Sequence, residues 1–289
     1  MKKLSFIKKS NGKHWVGDGF PVQNIFGYHD VAEQLSPFLL MDYAGPVHFP
    51  ATDKKLGVGE HPHRGFETVT IVYDGEVEHR DSSGGGGKIG RGEVQWMTAG
   101  AGLVHEEFHG SEYAKRGGPF EMVQLWVNLP KKHKMVPGRY QGITTDQIPE
   151  FSLNDGVGTL RLIAGEYGGN VGPAKTFSPM NVWDLRLKSG AQLELSVFDG
   201  HTTALFVLKG KLRLSTGDEV KSAELAVLER EGNRLGFTVL EDSTVLFLNG
   251  EPLGEPIVGH GPFVMNTEDE IRQAIADYQS GRMGHLKTN

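Results

Sequence analysis

Short segments in which apolar and polar residues alternate recur along this chain, separated by Gly, Asp, Asn and Ser, while helical periodicity is scarce. Alternation with a period of two marks strands with one buried face, so the pattern predicts an all-β sandwich or barrel. Phe66 to Tyr73 is a dense β-branched and aromatic run, followed by Asp74-Gly75 and then by Glu76 to His79. That order predicts a hairpin. Val94-Gln95-Trp96-Met97 and Met122 to Leu129 continue the strands. The basic run Lys131-Lys132-His133-Lys134 after Pro130 reads as a solvated loop. One helix is predicted near the C-terminus: Thr267-Glu268-Asp269-Glu270 matches a capping box, Ile271, Ile275 and Tyr278 share a face, and Gly281 ends it. It is expected to pack on a barrel, a role that asks nothing of its charges.

A second set of strands opens near Gly156, and two domains are expected, residues 1–150 and 151–289. Ala204 to Leu214 repeats the first hairpin, with Gly210 over Gly75. Counting back from each glycine puts Ser196, Phe198 and Thr202 where the first unit has His61, His63 and Glu67. Laying Gly232 over Gly100 puts Phe237 and Val239 opposite His105 and Glu107. The expected picture is a duplicated barrel with one working half, in which His201 is a turn histidine.

The candidate chemistry lies in two clusters, His61-Pro62-His63 and His105-Glu106-Glu107. On a strand, residues i and i+2 share a face, so each pair can converge on one point. Imidazole and carboxylate donors without a thiolate suit Fe, Mn, Ni, Cu or Zn. Glu106 should face the other way and is the natural control. Phe66, Trp96 and Met97 are candidates for the wall of an open site, with parity admitting only alternate residues. His79, His109 and Arg64 lie close in sequence and are expected at hairpin or surface positions. Gly85, Gly87 and Gly90 match a dinucleotide-binding spacing, yet Arg91 to Met97 alternates like a strand, so Gly84 to Gly87 reads as a mobile hairpin connection.

A net charge of -6 without a basic stripe argues against direct nucleic-acid binding. The absence of cysteine removes disulfides, thiol nucleophiles and iron–sulfur clusters. Lysines interrupt the apolar stretch at the N-terminus before a signal sequence forms, and no apolar run approaches the ~20 residues of a membrane span. A cytoplasmic protein is expected.

His61-Pro62-His63-Arg64-Gly65-Phe66-Glu67-Thr68, Gln95 to Gly100 and Gly102-Leu103-Val104-His105-Glu106-Glu107 together resemble the pirin family of the cupin superfamily. Ser36 to Asp42, Gln124 to Pro130, Glu255-Pro256-Ile257-Val258 and Gly261 to Asn266 extend the resemblance over most of the chain. It implies a bicupin, two stacked jelly-roll barrels with a short C-terminal helix, and one divalent transition metal in the N-terminal barrel. The ligands it implies are His61, His63, His105 and Glu107, with Fe(2+) expected first and Mn, Ni, Cu or Zn as alternatives. Glu67 matches a general cupin ligand position that pirins do not use, so it is expected beside the site at most. Two roles follow from the resemblance. One is a quercetin 2,3-dioxygenase activity on a flavonol-like aromatic substrate and O2, with Glu107 also accepting the substrate's hydroxyl proton. The other is metal- or redox-dependent regulation of a protein partner. A closed structural zinc site ranks last, because a barrel buries its own core.

Overall fold

The structure is a computed structural model that describes residues 1–10, 12–153 and 156–286. The chain forms two compact units, each built from non-contiguous segments. One contains Gly12–Glu33, Phe38–Thr145 and the segment from Gly254 onward. The other contains the N-terminal strand Leu4–Lys9, Gln34–Pro37 and Asp146–Leu253. By these contacts each chain end joins the unit opposite to the one that a division at residue 150 would give it. Leu4–Lys9 pairs with Glu224–Leu228, and the helix Glu268–Gln279 packs through Ile271 and Ala274 on Val104, Phe263 and Met265.

The first unit opposes two antiparallel sheets. The larger has seven strands in the order Arg139–Ile143, Val94–Thr98, Phe66–Asp74, Gly118–Asn128, Phe38–Phe49, Phe20–Phe26 and Lys13–Val16. The smaller has the order Gly57–His63, Leu103–His109, Glu76–Asp81 and Gly86–Gly90. Phe66–Asp74 is buried on both faces up to its last residue, which is why it reads as a continuous β-branched run. Gly75 then turns the chain at φ 91°, where a Cβ would meet the Phe120 ring at 2.5 Å. In Glu76–Asp81 alternate residues are buried, and these are Val77, His79 and Asp81. The glycine run differs from the expected mobile connection: Gly86–Gly90 is a strand paired with Glu76 to Arg80. No helix follows it, so the dinucleotide spacing has no phosphate-binding context.

The second unit is a nine-stranded antiparallel sheet whose core includes Trp183, Leu205, Val207 and Phe247. Its hairpin repeats the first, but the forward register differs from expectation. Ser196 pairs with Arg234, whereas His61 pairs with His105, so Arg234 and not Phe237 stands in the place of His105. The strand re-enters sooner after Gly232 than after Gly100, and a glycine-based alignment slips by that difference. An odd slip also exchanges the two faces. The C-terminal helix has the expected capping box, formed by Thr267 and Glu270. Among the described residues no helix is long and apolar enough to cross a membrane.

Candidate metal centre

The smaller sheet of the first unit carries the candidate ligands. Leu103–His109 lies between Gly57–His63 and Glu76–Asp81, and His105 stands opposite His61 on one side and Asp81 on the other. A bulge in Gly57–His63 shifts the next pairing, so Glu107 stands opposite Val58 and His79. His61, His63 and His105 converge, with ring centroids 4.2 to 4.9 Å apart. Their ligating atoms lie within 4.8 Å of one another, and a second such group joins His79, His105 and Glu107. His105 is the member common to both. Among the described residues, both groups of three or more metal-ligating side chains belong to this unit.

Hydrogen bonds set the rings. His61 Nδ1 lies 2.8 Å from the Gly59 carbonyl, and His63 Nδ1 lies 3.4 Å from the Pro262 carbonyl. Carbonyls only accept, so both rings donate from Nδ1 and keep the Nε2 lone pair. Burial, followed by the charge of neighbouring histidines, holds His63 and His105 well below the ordinary imidazole value. Both are therefore neutral at pH 7 and able to ligate.

Glu107 is gripped from the opposing sheet. Gln95 Nε2 donates to its Oε1 at 2.5 Å. Thr70 Oγ1 donates to Gln124 Oε1 at 2.5 Å and accepts from Gln95 Nε2 at 3.1 Å. The single Thr70 proton is thereby committed, which orients both amides. Gln124 Nε2 reaches Glu107 Oε2 at only 3.4 Å, so Oε2 is the less occupied oxygen. Glu106 faces the other way as expected, accepting from Arg80 Nε at 2.6 Å and Lys55 Nζ at 3.1 Å.

Several neighbours are placed otherwise than expected. His79, His109 and Arg64 are all buried rather than at the surface, and His79 lies on a hairpin arm paired with Gly87. His79 joins the site: its Nδ1 is 3.2 Å from His105 Nδ1 and its Nε2 is 3.0 Å from Asp81 Oδ2. Tyr140 stacks on it at 5.0 Å, and burial followed by the Glu107 charge pushes the Tyr140 hydroxyl up to about 12. His109 sits among Phe20, Phe49, Tyr113 and Phe120 and bonds the Gly19 carbonyl. Arg64 pairs with Asp277 at 2.8 Å, so the helix charges do matter. Lys134 is not solvated; its Nζ donates to the Gly65 and Val264 carbonyls and to Asn128 Oδ1 at 2.7 to 2.9 Å. Phe66 stacks on Trp126 at 4.2 Å, and these rings lie 5.1 and 5.2 Å from His63. Met97 packs with Leu103 and Tyr140, while parity turns Trp96 to the far face. Glu67 bonds Thr98 Oγ1 at 2.7 Å and belongs to neither ligating group.

The signal that could have found His79 and Asp81 was present in the alternation Val77-x-His79-x-Asp81, where one strand face carries an apolar residue and both polar ones. Gln95 and Thr70 gave no comparable signal, because a buried amide or hydroxyl is ordinary in a strand.

These residues fit a divalent transition metal. Their donors are nitrogen and oxygen, His63 and His105 are held neutral by burial, and His105 Nε2 is buried with no hydrogen-bond partner.

Comparison with known proteins agrees with this architecture. The family model described as Pirin matches residues 19–127, and that described as Pirin C-terminal cupin domain matches residues 182–284. A Pseudomonas aeruginosa protein provisionally named quercetin 2,3-dioxygenase is 54% identical over 283 residues, 98% of each chain. A crystal structure of quercetin 2,3-dioxygenase from Acinetobacter baumannii superposes with a TM-score of 0.96 at 53% identity, covering 99% of this chain and 100% of the other. A bacterial pirin of Escherichia coli in complex with nickel(II) superposes with a TM-score of 0.65 at 20% identity, covering 86% and 99%, and speaks to the fold alone.

Proposed function

Because the chain belongs to the pirin family, a branch of the cupins, we propose that its first unit is the centre of a dioxygenase that opens a flavonol such as quercetin with O2. The observation that carries this reading is the convergence of three histidines beside a carboxylate, with His105 Nε2 left without a partner in a buried site. His61, His63, His105 and Glu107 would hold the metal, with iron the expected ion and Mn, Ni, Cu or Zn the alternatives. When bound, the metal supplies Lewis acidity toward the flavonol oxygen and a meeting point for the two reactants.

The chain's own residues account for the remaining requirements. The Phe66 and Trp126 rings, stacked beside His63, offer an apolar wall against which a flat aromatic ring can lie. Glu107 can take the flavonol hydroxyl proton, its carboxylate being held in place by Gln95. Glu107 is therefore assigned two roles, metal ligand and proton acceptor. The flavonol-like substrate and the ligand set both rest on this reading. The resemblance of the Pseudomonas and Acinetobacter relatives supports it.

The test uses purified protein of measured metal content, quercetin and air. Loss of flavonol absorbance should accompany carbon monoxide release and should be absent in His61→Ala. Bound metal without turnover of quercetin would overturn the flavonol assignment and favour metal-dependent regulation of a protein partner.

A further inference from the structure

His79 is one of two polar residues on a buried strand face, and both of its ring nitrogens are engaged. Nε2 lies 3.0 Å from Asp81 Oδ2, and Nδ1 lies 3.2 Å from His105 Nδ1. The other oxygen of Asp81 accepts from Ser83 N at 2.9 Å, Ser83 Oγ at 2.5 Å and Gly85 N at 3.1 Å. The carboxylate is thus anchored, and as an ionised group it can only accept.

From Asp81 the proton positions follow along the chain of groups. His79 must carry its proton on Nε2. A neutral His79 then presents a lone pair at Nδ1, which accepts from His105 Nδ1–H. That leaves the lone pair of His105 on Nε2, the buried atom that has no partner. His61 and His63 reach the same tautomer through the Gly59 and Pro262 carbonyls. For His105 no carbonyl plays that part, and a second histidine takes it.

We infer that Asp81 and His79 form a positioning relay that fixes His105 in the tautomer able to bind the metal through Nε2. The inference rests on the proposed ligand set and explains why His79, although grouped with His105 and Glu107, is an orienting residue rather than a ligand. Tyr140, stacked on the His79 ring at 5.0 Å and nearly parallel to it, holds that ring in plane.

Asp81→Asn is the informative substitution. Three donors hold Oδ1, so the new amide nitrogen takes the Oδ2 position and donates to His79 Nε2. His79 must then carry its proton on Nδ1, facing a proton on His105 Nδ1. Relief comes only when His105 moves its proton to Nε2 and loses its donor lone pair. His79→Leu removes the acceptor outright. His79→Asn places an amide oxygen near the lost Nδ1 and should rescue.

The probe is Zn(II), with affinity read by chelator competition and histidine tautomers read by long-range proton–nitrogen NMR of the full-length protein. The expected result is zinc binding about tenfold to 100-fold weaker in Asp81→Asn and His79→Leu, near wild type in His79→Asn, with His105 protonated at Nδ1 in the wild type. Zinc affinities of Asp81→Asn and His79→Leu within about twofold of wild type would overturn the relay, and so would a His105 proton on Nε2. The tautomer measurement decides the matter if a variant does not fold. His105→Ala separates the two levels: full zinc content there would defeat the ligand set itself, whereas lost zinc there with unchanged Asp81→Asn would defeat the relay alone.

Discussion

Gln95 Nε2 donates to Glu107 Oε1 across 2.5 Å, and both side chains are buried. The two residues come from opposing sheets, so this bond ties the carboxylate of the smaller sheet to a fixed point on the larger. A carboxylate held by one oxygen presents the other in a defined direction, which a metal site requires. Gln95→Leu removes that hold and leaves a buried carboxylate oxygen unsatisfied. The expected outcome is metal affinity weaker by about tenfold to 100-fold, measured by chelator competition, with circular dichroism unchanged.

The parity of Leu103–His109 makes a paired prediction. His105 and Glu107 face the opposing sheet, while Glu106 faces Arg80 and Lys55. His105→Ala and His63→Ala should lose stoichiometric metal and remain folded. Glu106→Gln should keep full metal content and change stability by about 1 kcal/mol at most, since its Arg80 partner is substantially exposed. Elemental analysis of the three purified variants checks it, and loss of metal in Glu106→Gln would contradict the assignment of faces.

The ligand candidates were legible because strand parity acts within two or three residues: His61 with His63 and His105 with Glu107 need no knowledge of the fold. The all-β architecture was legible for the same reason, since the alternation is local. What escaped were the relationships that only pairing creates. His79 meets His105 because two strands lie in register, and Arg64 meets Asp277 because a helix distant in sequence returns to the first unit. Lys134 read as solvated because three charged or polar neighbours surround it in sequence, yet its acceptors come from Gly65, Asn128 and Val264. Arg234 took the place expected for Phe237 because loop length, invisible to a glycine alignment, sets the register.

Arg64 and Asp277 form an ion pair at 2.8 Å with side chains 5% and 12% exposed, immediately after His63. Removing Asp277 strands the Arg64 guanidinium in a poorly solvated position, whereas removing Arg64 leaves Asp277 still paired with Arg282 and accepting from Gln273. Asp277→Asn should lower stability by about 3 kcal/mol, and Arg64→Met should cost less because Arg282 still pairs with Asp277. The double substitution should cost less than the sum of the two, because it leaves no buried charge behind. Urea denaturation of the single and double variants measures the coupling, and strict additivity would show that the pair contributes nothing.

Glu67 provides a pH dependence distinct from that of the ligands. Burial, opposed in part by the Thr98 hydrogen bond and the Arg139 charge, raises its carboxyl to about 7 from an ordinary value of 4.5. The folded state therefore holds a proton that the unfolded chain releases between those values. Stability from this group is fully present below 4.5 and is lost as the pH rises through about 7. The difference amounts to about 3 kcal/mol, taking the full separation of the two values. Glu67→Gln resembles the protonated form at every pH and should flatten the profile. Urea denaturation of the metal-free protein at about pH 5 and about pH 8 should show the wild type losing more stability with rising pH than the variant does. Equal losses in the two proteins would mean that Glu67 is ionised throughout, with Arg139 compensating its burial.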